Sequence, residues 1–71
     1  MSWKGKKNLN NLHDLRKKAG LSQSQLAYLS GVKIRTIQNY ESGYRDIRKA
    51  CYDILTRLST ALNCSIDDLV S

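Results

Sequence analysis

Apolar residues recur at intervals of three and four along most of this chain. Leu9, Leu12, Leu15 and Ala19 share one face of a first helix that Gly20 ends. Ser22 is a favourable N-cap, and Gln25 three residues on completes a capping box for a second helix with Leu26, Ala27 and Leu29 on its buried face. That helix stops at Gly31 after two turns. A third runs from Ile34 to Ser42 and is closed by Gly43. "YRDIR" reads as a loop. Lys49 to Asn63 then forms a longer amphipathic helix with Cys51, Ile54, Leu55, Leu58, Ala61 and Leu62 on one stripe. Ser65 caps a last short helix, "IDDLV", whose Asp67 and Asp68 suit the positive end of the helix dipole. The pattern predicts an all-α, compact five-helix bundle over residues 9–71, preceded by a flexible basic arm, residues 1–8, that includes Trp3.

Composition agrees with that class. The 71 residues allow one modest core, and the apolar 41% is mostly Leu, Ile and Ala, with no phenylalanine and no proline. No apolar run approaches the ~20 residues of a membrane span, and no signal peptide opens the chain, so the expected location is the cytoplasm. Cys51 and Cys64 belong to no metal-ligand spacing and read as small core thiols in a reducing compartment. His13 is the lone histidine and reads as a solvated helix residue. No nucleophile–base pair, carboxylate dyad or phosphate loop is present, which argues against an enzyme, and no cofactor or metal is expected.

Charge changes the picture more. The net +6 is unevenly spread: residues 1–49 hold +8, and residues 50–71 hold −2. A basic N-terminal two-thirds points to a polyanionic partner, nucleic acid ahead of a membrane surface.

Two short helices joined through a glycine are the frame of a helix-turn-helix. Counted from Gln23 as first, Ala27 is fifth, Gly31 ninth, Val32 tenth, Ile37 fifteenth and Tyr40 eighteenth. A small fifth residue lets the helices cross closely, a ninth-position glycine takes positive φ without a Cβ penalty, and the other three anchor the second helix apolarly. With Ile37 turned to the core, Arg35, Gln38, Asn39 and Ser42 point away and Ile34 and Thr36 flank them. Such a face fits the DNA major groove. Arg35 has the fork for guanine O6/N7, Asn39 the amide for adenine N6/N7, and Ile34 or Thr36 a methyl for thymine. The base-reading set is therefore Ile34, Arg35, Thr36, Gln38 and Asn39. Gln23, at a helix N-terminus, suits a phosphate, and Arg45, Arg48 and Lys49 are backbone clamps, with Lys33 and Tyr44 as further candidates. Arg16 follows Leu12 by four residues and Glu41 follows Ile37 by four, so both charges share buried stripes and are expected to pair.

The segments "LRKKAGLSQSQLA", "GVKIRTIQNYESG" and "ALNCSIDDL" resemble the lambda-repressor-like, XRE/Cro-type helix-turn-helix regulators, over about residues 9–70. Lys33 stands where that family usually has Ser, Thr or Asn, and the Tyr44–Lys49 loop is a little longer than its pattern. The resemblance implies a double-stranded DNA-binding repressor, a phosphate contact for Gln23, and an Arg–Glu pair at Arg16 and Glu41. It also implies homodimers that assemble on an inverted repeat and pair around Leu62–Ile66. The alternative is a protein-binding module, such as the antitoxin half of a toxin–antitoxin pair.

Overall fold

The computed structural model describes residues 11–70. The expected basic arm, Trp3 and the helix start at Leu9 lie outside the described residues. Five α-helices follow in order: α1 (Asn11–Lys18), α2 (Gln23–Ser30), α3 (Ile34–Glu41), α4 (Tyr52–Leu62) and α5 (Ile66–Val70), with a 3-10 turn at Ile47–Lys49 before α4. No strand occurs among the described residues.

Helix ends follow from a few residues. Gly20, at φ +73, lets the chain leave α1 with two reverse hydrogen bonds, Gly20 N–H to the Lys17 carbonyl and Leu21 N–H to the Arg16 carbonyl. Ala19, expected on the apolar stripe, is exposed at this exit. Ser22 and Gln25 cap α2 reciprocally: Gln25 N–H donates to Ser22 Oγ at 3.0 Å, and Ser22 N–H to Gln25 Oε1 at 2.8 Å. Asn63 closes α4 in the left-handed region, with Cys64 N–H returning to the Ser59 carbonyl at 3.0 Å. At α5 the Ser65 hydroxyl and the Asp68 carboxylate exchange bonds with each other's backbone N–H.

Every element supplies the core: Leu12 from α1, Leu26 from α2, Val32 from the turn, Ile37 and Tyr40 from α3, Ile47 from the 3-10 turn, Leu55, Leu58 and Leu62 from α4, and Leu69 from α5. Helix α2 lies between α3 and α4, while α1 packs on α3 and α5, and α5 also closes over the 3-10 turn. Asn11 Nδ2 donates to the Asp68 carbonyl at 2.9 Å and ties the first turn of α1 to α5.

Three further expectations are corrected. The fourth helix starts at Tyr52 rather than Lys49, because Asp46 accepts from Arg48 N–H and winds Ile47–Lys49 into a separate turn, after which Ala50 and Cys51 are extended. Cys51 consequently sits exposed at the N-cap of α4 instead of in the core, whereas Cys64 is half-buried; both are free thiols. Burial and the nearby Asp68 carboxylate push the Cys64 thiol pKa up. Leu29 is exposed rather than buried, since α2 turns Leu26 and Ser30 inward and its neighbours α3 and α4 occupy only that side.

Candidate nucleic-acid interface

The turn between α2 and α3 is set by three consecutive residues. Ser30 is buried and its hydroxyl accepts from Val32 N–H at 3.1 Å. Gly31 adopts φ +74, and a Cβ there would lie 3.0 Å from Arg57 Nη1 on α4. Val32 is 4% exposed and plugs the crossing of the two helices. Lys33 then opens α3 from an extended conformation without a side-chain cap, leaving the first N–H groups of that helix to solvent or to a ligand.

Burial of Ile37 and Tyr40 fixes which face of α3 looks out. Arg35, Gln38 and Ser42 are exposed, Ile34 is 39% exposed, and Thr36 and Asn39 are half-buried at the edges. The five residues expected to read bases therefore share one side of the helix, with Arg35 and Gln38 the most accessible polar pair.

Beneath this face lies a polar network anchored on an ion pair. Arg16 donates to both oxygens of Glu41, Nε to Oε2 at 2.6 Å and Nη2 to Oε1 at 3.0 Å, and its Nη1 donates to the Leu21 carbonyl at 2.8 Å. Both side chains are nearly enclosed, and hydrogen bonding to Glu41 raises the Arg16 pKa further. Gln23 Nε2 donates to Glu41 Oε1 at 3.1 Å, and Gln38 Nε2 donates to Gln23 Oε1 at 3.4 Å. The first residue of α2 is thus joined to the exposed face of α3.

The segment after α3 is tied back onto it. The Asn39 carbonyl accepts from Ser42 Oγ at 3.2 Å and from Arg45 N–H at 3.1 Å, while Tyr44 N–H donates to Ser42 Oγ. Tyr44 and Arg45 project from this loop into solvent, Tyr44 being 82% exposed. Arg48 differs from its neighbours, since it forks onto Asp46, Nε to Oδ1 at 3.1 Å and Nη2 to Oδ2 at 3.0 Å. These bonds from Arg48 hold the Asp46 carboxyl below the usual carboxylate range. Among the described residues, Lys33, Arg35 and Arg45 have no carboxylate partner, so their full charge faces outward, while the exposed Lys49 lies within the field of the Asp46 carboxylate.

Sequence reasoning missed the Asp46–Arg48 fork and the Gln23–Gln38 link. The first had only a weak signal, an acid two residues before an arginine; the second depends on the crossing of two helices. No group of three or more His, Cys, Asp or Glu side chains gathers as a metal ion would need among the described residues. No helix of the described chain is long and apolar enough to cross a membrane.

No curated protein and no solved structure matches the chain. The family model of the helix-turn-helix matches residues 12–69, which run from the core leucine of α1 to that of α5 and take in the whole network just described. With its helices, turn and apolar anchors in that order, the chain belongs to the XRE/lambda-repressor-like helix-turn-helix family of DNA-binding transcription regulators.

Proposed function

We propose that this protein is a repressor that binds a specific double-stranded operator in the cytoplasm by laying α3 in the major groove. The observation that carries this reading is the outward face of α3. It offers an arginine without a carboxylate partner, a glutamine and an asparagine beside apolar Ile34, and exposed cations stand at both of its ends, Lys33 before it and Arg45 and Lys49 after it. Arg35, Gln38 and Asn39 meet base edges, with Ile34 and Thr36 supplying methyl contacts. Gln23, Lys33, Tyr44, Arg45, Arg48 and Lys49 meet the phosphates that position the helix without specifying sequence. Two copies bind an inverted repeat, one helical turn apart, ~34–36 Å between recognition helices. Leu62 is spent in the core, so the surface around Leu62–Ile66 offers chiefly Asn63, Ser65 and the half-buried Cys64 and Ile66 for such pairing.

A second reading, a protein-binding module, draws support from a groove lined by Leu21, Ser24, Gln25, Tyr28 and Leu29, with Tyr28 and Leu29 largely exposed. Selection from random duplex DNA decides between the two. The repressor reading expects an enriched inverted repeat, bound with an affinity that falls steeply with salt, about −0.9 in log–log slope per phosphate contact. No enriched site, together with salt-independent binding, would sink it in favour of the protein partner.

A further inference from the structure

From Ala19 to Val32 the chain carries no charged residue, the longest such run among the described residues. Helix α2 lies inside it and buries Leu26 and Ser30, while its outer side keeps apolar surface in water, with Tyr28 87% and Leu29 57% exposed. These two, with Leu21, Ser24 and Gln25, line a groove of about 350 Å³. A patch without charge that centres on an exposed tyrosine has the make-up of an interface core. It lies open along Tyr28 and Leu29, which suits side chains inserted from another protein better than a small molecule enclosed on all sides.

The surroundings choose the partner. Exposed lysines bound the uncharged run, Lys17 and Lys18 before it and Lys33 after it, and none forms an ion pair among the described residues. The acids on the two helices packed against α2 are already engaged, Glu41 on α3 by Arg16 and Asp53 on α4 by Arg57. Asp14, on α1, stands a turn farther back than Lys18. A second copy seated face to face would bring the same lysines together, at a cost in repulsion. An acidic partner would meet them as countercharges. We propose that the groove seats an acidic segment of a partner protein, anchored by apolar side chains, and that this docking opposes DNA binding.

The opposition follows from position. Ser24 and Gln25 in the groove directly follow Gln23, and Gln23 and Lys33 are both assigned to DNA phosphates above. Carboxylates drawn there stand within a Debye length, ~8–10 Å, of those phosphates and repel them. Partner and operator then weaken each other by the same factor. Eight residues of helix, ~12 Å long, offer a contact of the short-lived kind. The docking rests on the groove alone, whereas the opposition also rests on the DNA-binding reading.

The probe is a phage library of random peptides, panned on the wild type without DNA and counter-selected on the double variant Tyr28→Ser with Leu29→Ser, which alters only exposed side chains. Enriched peptides are expected to be acidic, with apolar residues among the carboxylates. They should bind the double variant about ten-fold more weakly, and shift 15N resonances of the wild type between Leu21 and Leu29. No enriched peptide, enriched peptides that are basic or uncharged, or equal binding to the double variant would each overturn the docking. So would a wild-type dimer in sedimentation that the double variant dissolves, since the groove then belongs to a second copy. An enriched acidic peptide is next added to a titration of the wild type with duplex DNA. It is expected to weaken duplex binding about five-fold or more, and an unchanged affinity overturns the opposition. If the wild type binds no duplex at all, the operator reading falls, and the peptide selection, run without DNA, still decides the groove.

Discussion

Arg16 grips Glu41 at two points, Nε to Oε2 and Nη2 to Oε1, across the junction of α1 and α3, with their side chains only 10% and 5% exposed. Taking both charges out of water is costly, and their mutual bonds and the Leu21 carbonyl offset that cost. Arg16→Met is expected to lower stability by about 3–5 kcal/mol, because it strands Glu41 without its countercharge. Arg16→Met combined with Glu41→Leu should recover much of the loss. Urea melts of the three proteins check this; a single variant as stable as the wild type would show that the pair contributes nothing.

Arg35 has the longest reach on the outward face of α3 and no carboxylate to hold it among the described residues. Arg35→Ala should cost about 1–3 kcal/mol on the preferred site and relax selectivity at one guanine, with non-specific binding much less changed. Competition binding on single-base variants measures it. An equal loss on every sequence would make Arg35 a phosphate clamp.

Arg45 and Arg48 carry the same charge but stand in different surroundings, since Arg48 is forked onto Asp46 and Arg45 is not. Arg45→Ala should flatten the salt dependence of DNA binding by close to one phosphate contact, and Arg48→Ala by less. The fork also predicts a pH response. The Asp46 pKa is lowered by Arg48, so the stabilisation it brings is present above the ordinary carboxylate range and is lost as pH falls through the lowered value. The Asp46 carboxyl 13C midpoint should lie below that of an ordinary aspartate and rise part of the way toward it in Arg48→Ala, since the backbone N–H of residue 48 still donates to the carboxylate. A midpoint that does not move would mean that the fork is absent in solution.

How much of this was legible in the sequence depends on where each constraint resides. Ala27, Gly31, Val32, Ile37 and Tyr40 announce the helix-turn-helix because each position demands a residue type for a local steric reason. The stripes bearing Arg16 and Glu41 were legible for a related reason, as a charge in phase with leucine or isoleucine needs a partner. Ile47 was hidden, an apolar residue inside "YRDIR", and becomes core only because the Asp46 cap winds the backbone there. Cys51 continued the spacing of α4 one turn too far, and periodicity alone does not mark where a helix begins. Leu29 follows Leu26, Ala27 and Tyr28, so α2 is apolar on several sides and only its neighbours choose the buried one.

Gly31 is the position where the turn tolerates least. A Cβ at φ +74 is strained in any L-residue, costing about 1–2 kcal/mol, and here it also presses on Arg57 Nη1. Gly31→Ala should destabilise by that amount. Arg57→Ala in the same background should recover little, because the half-exposed arginine can swing aside while the backbone cannot. Full recovery in a thermal melt would place the cost in the contact instead of in φ.

Thr56 Oγ1 is buried without a hydrogen-bond partner among the described residues. Thr56→Val keeps the branched shape and removes the stranded hydroxyl, so stability should hold or rise by up to about 1–3 kcal/mol. A clear loss in a urea melt would reveal a bond made by that hydroxyl in solution.

The Asn39 carbonyl receives both the Ser42 hydroxyl and the Arg45 N–H, which splices the loop after α3 onto the last turns of that helix. The splice turns helix and loop into one measuring stick, with Asn39 and Arg45 at a set spacing. If Asn39 reads a base and Arg45 holds a phosphate as proposed, a helix settled one base pair out of register would carry the loop off that phosphate by the same step, and both contacts would be forfeited together. Misfit would thereby be punished twice for a single displacement. A family of variants with one glycine inserted between Ser42 and Arg45 would separate the two ends of that stick and let each find its own mark.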